Sequence, residues 1–443
     1  MNKYLKYKPS GIEWIGEIPE HWEVEKMRYI GNFTSSGIDK RINEDEPLVK
    51  IINYTDIYGN STRLLTSERN YMEVSCPEEK RVEHQVKKGD LVFTPSSETI
   101  EDIGLSALVD EDLENTAYSY HVLRFRFEKD IEHYFKKYLC NNHFGLNQFS
   151  ANAKGTTRQI LNRENFNSAL VIIPPKPEQT AIANFLDEKT AQIDRLITNK
   201  QKLIELLKEE RTVIINQAVL RGIKPNVKLK PSGIDWLGDI PEHWEVKKLK
   251  YIINKIIDNR GRTPVYGSVG APMLEIKQID GVSKYPTSNF EKFVDPNLVN
   301  EFVRVPLKKG DVLIATVGAT AGKSAIVEKD PDYFIAQNLV GFRSNSSILP
   351  EFLFYVAQSI YFTEGLFTIN KANTIDNLKV SIFINNPCMI PPVEEQNDIL
   401  NYIETEIKRI DITISKIEKE TKLLGEYRTA LISEVVTGKI KVA

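Results

Sequence analysis

Two kinds of apolar patterning alternate along the chain. Short apolar runs punctuated by Gly, Pro and Asn predict strands and turns, as at Asp90 to Thr94 and His121 to Phe127, beside shorter helical stretches such as Glu132 to Leu139. Each half then changes to a long stretch with apolar residues every three and four positions. The first such helix begins after Pro177, and the next glycine is Gly222. Its seam reads Ile193, Ile197, Lys200, Ile204, Leu207, Arg211, Ile214 and Ala218. Positions 217 residues later read Ile410, Ile414, Ile417, Thr421, Leu424, Arg428, Leu431 and Val435, so Arg211 and Arg428 share one heptad place. From Asp187 to Leu220 a helix would run about 50 Å at ~1.5 Å per residue, longer than a small domain covers. Each helix could pack on its own domain. Pairing with each other, most simply antiparallel, would bury both stripes.

The chain is also written twice. Lys6 to Ile30, KYKPSGIEWIGEIPEHWEVEKMRYI, returns at Lys228 to Ile252 as KLKPSGIDWLGDIPEHWEVKKLKYI, with 18 of 25 positions identical. VKKGDLVFT at Val86 to Thr94 is echoed by LKKGDVLIAT at Leu307 to Thr316, and IPPKPEQ at Ile173 to Gln179 by IPPVEEQ at Ile390 to Gln396. Three anchors in one order define two units. The expected fold class is α+β: two mixed α/β domains related by a pseudo-two-fold, separated by two long helices forming an antiparallel coiled coil. The expected boundaries are 1–176 and 223–393 for the domains, and 177–222 and 394–443 for the helices.

Composition narrows the function classes. At 443 residues, 41% apolar and 27% charged, the chain has room for two or three domains. Its first residues have no apolar core of a secretory signal, and no stretch approaches the roughly 18 apolar residues of a membrane span, so a cytoplasmic location is expected. Cys76, Cys140 and Cys388 lie far apart without metal-ligand spacing, which predicts buried thiols.

A catalytic site is hard to find. Gly318 to Ser324 resembles a phosphate loop but has three residues between its glycines where four are needed, and a strand-like run follows it. Asn386-Pro387-Cys388 fails as an amino-methyltransferase motif. No carboxylate cluster suggests a metal-dependent nuclease. His21 and His243, inside the duplicated PEHWEV motif beside Trp22 and Trp244, suit a folding role. No cofactor and no metal are expected.

The duplicated K-x-K-P-S-G-I-[ED]-W-[IL]-G-[ED]-I-P-E-H-W-E-V opening, the Pro-Pro-x-x-Glu-Gln start of each helix and the domain-helix-domain-helix order together resemble type I restriction-modification specificity subunits, over essentially the whole chain. The resemblance implies that each non-helical half is a target-recognition domain and that the helices form the spacer. It also implies partners: double-stranded DNA, two methyltransferase subunits and, in the full complex, two ATP-dependent restriction-translocase subunits. Modification and cleavage chemistry would belong to those partners, with no catalytic residue here.

Charge sits awkwardly with such a role. Net charge is −3, and residues 1–150 hold 19 Lys+Arg against 26 Asp+Glu. Either the basic residues gather on one face or the partners supply much of the phosphate attraction.

Bases should be read where the units differ most, at residues 31–85 and 94–121 of the first and 253–306 and 316–338 of the second. Arg and Lys suit guanine, Asn and Gln suit adenine. The candidates in the first unit are Lys40, Arg41, Ser96, Ser97, Tyr120 and His121, with Lys154, Thr156, Thr157 and Arg158 as a phosphate-holding loop. In the second they are Asn259, Arg260, Arg262, Thr263, Thr320, Lys323, Gln337 and Asn338. A self-sufficient DNA-binding regulator would be more basic and would not need exposed motifs at the helix starts to recruit partners. A coiled-coil scaffold with carbohydrate- or protein-binding domains would not require basic and amide-bearing variable loops.

Overall fold

The Lys-Lys-Gly-Asp echo marks one internal joint in each half of the chain. The computed structural model describes residues 3–13, 15–261, 264–370 and 378–442. It divides into two compact units, one of Met1–Lys200 with Glu418–Ala443 and one of Gln201–Ile417. In the first unit, Gly89 takes φ +88° and turns the chain into the strand Leu91–Phe93. The Asp90 carboxylate is buried there, accepting from the Lys87 backbone N–H at 2.8 Å and from both arms of the Arg126 guanidinium at 2.8 and 2.7 Å. The second unit repeats this with Gly310 at φ +84°: Asp311 accepts from Lys308 N–H at 2.7 Å and from Arg343 at 2.8 and 2.7 Å. A buried carboxylate persists only when matched in this way.

Around that joint, a five-stranded sheet in the first unit runs in the order Gly31–Thr34, Leu123–Phe127, Leu91–Phe93, Ser106–Val109, Leu64–Leu65. All its neighbours are antiparallel except the last pair. A three-stranded sheet of Thr116–Tyr118, Leu48–Ile52 and Met72–Ser75 accompanies it. The second unit has a four-stranded antiparallel sheet, Ile253–Ile257, Leu339–Ser344, Val312–Ala315, Ser324–Ile326, and a three-stranded one of Phe293–Val294, Ala271–Leu274 and Phe334–Ile335. Both units are thus mixed α and β. The predicted strands are shorter at their starts than the apolar runs, and the helix expected from Glu132 begins at Lys136, because the Glu132 carboxylate accepts from the Phe135 N–H at 2.7 Å and caps the turn before it.

The duplicated opening is a plug at the foot of each unit. Trp22 and Trp244 are fully buried. Each covers the left-handed glycine that follows a long helix: Gly438, φ +72°, lies under Trp22, and Gly222, φ +72°, under Trp244. A Cβ on Gly438 would stand 2.4 Å from the Pro19 ring, so only glycine ends the helix this way. The strand Glu23–Lys26 pairs antiparallel with Leu170–Ile173, and Glu245–Lys248 with Pro387–Ile390, which ties each opening to the residues just before a long helix.

The Pro-Pro-x-x-Glu-Gln motifs close the same joint. The Gln179 amide accepts from Glu132 N–H at 2.8 Å and donates to Pro174 O at 2.8 Å, and Gln396 does the equivalent with Leu349 N–H and Pro391 O at 2.8 and 2.9 Å. Glu178 meets His21 Nε2 at 2.6 Å, and Glu395 meets His243 Nε2 at 2.6 Å. Exposed recruiting motifs were expected at the helix starts. The structure buries both glutamines and Glu395, because their amides and carboxylate are the partners of backbone and histidine groups that the fold must satisfy, and leaves residues 175–177 and 392–394 exposed.

The long helices are Lys176–Arg221 and Val393–Val436. In the first unit Ile193, with Ile197 beside it, shares a core with Leu431, Ile432 and Val435 and with Leu424 at its margin. In the second, Leu207, Ile410 and Ile417 form a small core flanked by Ile204, Ile214 and Ile414. The polar seam places carry ion pairs: Lys200 to Glu420 at 2.5 Å and Arg428 to Asp194 at 2.9 Å in the first unit, Arg211 to Asp411 at 3.0 Å in the second.

Candidate nucleic-acid interface

In the first unit the short helix Tyr54–Tyr58, capped by Asn53, presents two tyrosines one turn apart, with ring centroids 6.3 Å from each other. Lys40 lies over the Tyr54 ring at 5.2 Å, and the His121 ring is 6.2 Å from Tyr54. Tyr120 stacks against His121 with centroids 3.8 Å apart. The Tyr58 hydroxyl donates to Ser96 O at 3.1 Å. Ser96 and Ser97 in turn pair with Ile160 and Gln159, the returning side of the loop that carries Lys154, Thr156, Thr157 and Arg158. Four sequence segments that were candidates separately therefore meet on one surface.

Its charged groups are mixed, with several exposed cations. Burial, with the charges of Lys40 and Arg158, holds the His121 imidazole below the ordinary histidine range, against a smaller opposing effect from Asp39. A neutral ring offers one donor and one acceptor. Arg41 is turned to Asp39 at 3.0 Å, whereas Lys40, Lys154 and Arg158 have no ion-pair partner among the described residues. The residues from Lys154 to Arg158 are exposed apart from the chain's own turn. Lys40 thus sits against these rings, with the exposed Lys154 and Arg158 on the adjoining loop, in a half of the chain that is acidic by count.

The second unit treats its candidates differently. Asn259 is 5% exposed, and its amide donates to Ile335 O at 3.1 Å and accepts from Arg304 N–H at 3.4 Å. The Arg260 guanidinium grips Asp258 at 2.9 and 3.0 Å and donates to Leu378 O at 2.9 Å. Both side chains serve the fold here and offer no free edge. Thr320 donates to Val317 O at 3.0 Å, and Lys323 is exposed with its stem against Gly281. Gln337 and Asn338 are half-buried, with Asn338 O accepting from Thr316 N–H at 3.0 Å. Arg262 and Thr263 lie outside the described residues. The strand Ser324–Ile326 follows the glycine-rich turn at the place where a phosphate loop requires a helix.

A family model described as "Type I restriction modification DNA specificity domain" matches residues 19–207 and 241–422. The chain belongs to that family. It is 28% identical to the putative type I restriction enzyme MjaX specificity subunit of Methanocaldococcus jannaschii, over 97% of this chain and 96% of the relative. It is 21% identical to the EcoKI specificity subunit of Escherichia coli K12, over 96% and 90%. Among solved structures, a chain from work on complex assembly and conformational transition of the type I R-M system matches with TM-score 0.70 at 16% identity, covering 96% of this chain and 99% of that one. The HsdS subunit of Thermoanaerobacter tengcongensis matches with TM-score 0.55 at 17% identity, over 96% and 98%. These likenesses establish the fold, and the family assigns the role: a non-catalytic subunit that recognises DNA targets and works with other restriction-modification subunits.

Tyr54 and Tyr58, which link the candidate segments, are not among the residues the linear pattern singled out. Their signal was available: an Asn cap followed by Tyr-x-x-x-Tyr within a variable stretch. The first unit also holds a cavity of about 920 Å3, lined among others by Arg63, Lys137, Asp187, Asp194 and Arg428. There Lys137 pairs with Asp187 at 2.6 Å and Arg428 with Asp194 at 2.9 Å, so most of its positive charge is already matched. Cys76, Cys140 and Cys388 are free and buried. No helix among the described residues is by itself long and apolar enough to cross a membrane.

Proposed function

We propose that this specificity subunit reads a bipartite, asymmetric double-stranded DNA target, one short half-site per unit with an unread gap between. In this reading it directs adenine methylation by two methyltransferase subunits and ATP-dependent restriction by two restriction-translocase subunits. The observation that carries it is the division between the motifs that repeat and the loops that do not. The repeated motifs all serve internal joints of the same geometry, Asp90 with Arg126 and Asp311 with Arg343 above all. The differing loops hold the exposed groups, Lys40, Tyr120 and Arg158 in the first unit and Lys323 in the second, together with the half-buried His121, Gln337 and Asn338. Unlike readers on a common frame imply unlike half-sites.

The spacer in this reading is an antiparallel coiled coil about a pseudo-two-fold. Its support is a reciprocity in the seam: Asp194 with Arg428 and Asp411 with Arg211 are the same two heptad places exchanged. Two-fold-related readers meet the same groove when half-sites lie about one turn, ~34 Å, apart, and helices of 46 and 44 residues are ample for that spacing. The subunit acts in the cytoplasm, where its DNA and partners are. Methylated-base mapping of DNA from cells with and without this chain, in the presence of its methyltransferase partner, tests the whole reading. One split motif with two unlike halves that depends on the chain is the expected result; verified partners and no such motif would remove it.

A further inference from the structure

Resting on that reading, we infer that Gly155 is a positioning residue that aims Arg158 at a backbone phosphate of the first half-site. The loop from Lys154 to Ile160 is closed at its base by a two-way backbone pairing, Lys154 N–H to Ile160 O at 3.1 Å and Ile160 N–H to Lys154 O at 2.8 Å. The same base is fastened to the sheet through Gln159 and Ile160 against Ser97 and Ser96. Inside it, Gly155 has φ +139°, and a Cβ there would stand 2.0 Å from Arg158 O. The obstacle is backbone, so it cannot step aside as a flexible side chain would. The Gln159 amide also donates to Gly155 O at 3.0 Å, holding the crossing from the far side. Only glycine therefore permits the tight return that presents Thr156, Thr157 and Arg158 at the tip.

The base of the loop adjoins the aromatic and cationic surface. Ser96, on which the loop is fastened, is bonded to Tyr58; Tyr58 touches Tyr54; and Tyr54 carries Lys40 and His121. The charges of Lys40 and Arg158 both act on His121. An exposed guanidinium on a loop fastened beside this surface suits a group with several acceptor oxygens and full negative charge, which on duplex DNA is the phosphate. The tip threonines add hydroxyl donors. A phosphate contact fixes register without naming a base, so its loss should weaken binding evenly across sequences.

The test uses the chain assembled with its methyltransferase partners and a duplex carrying the mapped motif, with affinity measured across a salt series. The wild-type assembly must first prefer that duplex to a scrambled one; if it does not, the reading of the chain as a target reader fails and this inference with it. Arg158→Ala should lower affinity and reduce the slope of log K against log salt by about one. Gly155→Ala should reproduce the Arg158→Ala change, and the double variant should be no weaker than Arg158→Ala alone. Gln159→Leu, which releases the Gly155 carbonyl by a separate route, should move the slope in the same direction. A wild-type slope for both Gly155→Ala and Gln159→Leu, or additive losses in the double variant, overturns the positioning role. A change in the first half of the methylated motif on replacing Arg158 would assign it to a base edge and overturn the phosphate assignment.

Discussion

At the residue scale the firmest expectations concern buried charge. Asp90 and Asp311 are almost wholly enclosed, each with one guanidinium fork and one backbone N–H as its partners. Arg126→Ala leaves the Asp90 carboxylate unmatched and should cost about 3–5 kcal/mol in denaturant unfolding of the assembled chain. Arg343→Ala should do the same in the second unit, whereas replacing the exposed Arg41 should change stability by less than ~1 kcal/mol. A pH dependence belongs to Glu178. Burial raises its pKa, but hydrogen bonds from Tyr4, His21 and Trp22 outweigh that, and its carboxyl titrates below the ordinary range. A depressed carboxyl pKa contributes stability above the unfolded value, near ~4.3 for glutamate, and loses it as pH falls through the folded value. Glu178→Gln should therefore flatten the acid limb of a stability-against-pH curve below about pH 4.5 while lowering the plateau above it. An unchanged acid limb would mean the carboxylate's bonds are as good in the unfolded chain. What sequence could reach at this scale was residue type, not partnership: Asp90 stood out as part of a repeated turn, but Arg126 lies on another strand and no local pattern joins them. Asn259 failed as a candidate for the same reason, since the carbonyl that takes its amide, Ile335 O, is remote in the chain.

Elements were more legible, because periodicity is local. The three-four spacing from Ile193 to Ala218 marked a seam, and the residues at its apolar places do lie in cores within each unit. Helix starts and ends were set by features the spacing did not carry: the bonds of Gln179 and Gln396 at one end, the left-handed Gly222 and Gly438 at the other. The candidate surface was legible only in fragments. Lys40, Ser96, His121 and Arg158 each drew notice from composition, and it took the cap at Asn53 and the pairing of Ser96 with Ile160 to collect them. The seam gives a prediction proper to elements. Truncating Leu207 or Ile410 to alanine removes buried apolar volume and should cost about 2–5 kcal/mol, while Arg211→Met, which removes a half-exposed pair with Asp411 and a hydrogen bond to Val282 O, should cost much less. Thermal or denaturant unfolding of these three variants side by side would show it; an Arg211→Met loss as large as that of Leu207→Ala would mean that the ion pair, not the apolar seam, fixes the helices' register.

For the molecule as a whole, the proposed reading puts target recognition and spacing on different parts of the chain, and this separation can be tested by changing one without the other. Exchanging the first unit's variable segments, residues 31–85 and 94–121 with the loop 154–160, should alter one half of the methylated motif and leave the other half and the gap unchanged. The frame tolerates the exchange because Asp90, Arg126, Gln179 and Trp22, which close the unit, are not among the exchanged residues. Lengthening is the complementary change. One heptad added to both long helices at matched seam positions keeps the apolar phase, since seven residues restore the same face. At ~1.5 Å per residue it adds about 10 Å to the spacer, or about three base pairs at ~3.4 Å each. The methylated motif should then keep both halves and widen its gap by about that number. Addition to one helix alone puts the partners of Arg211 and Arg428 out of register and should abolish methylation instead of shifting it. If the matched insertion left the gap unchanged, the helices would not be the ruler, and the spacing between readers would have to be set by the methyltransferase partners.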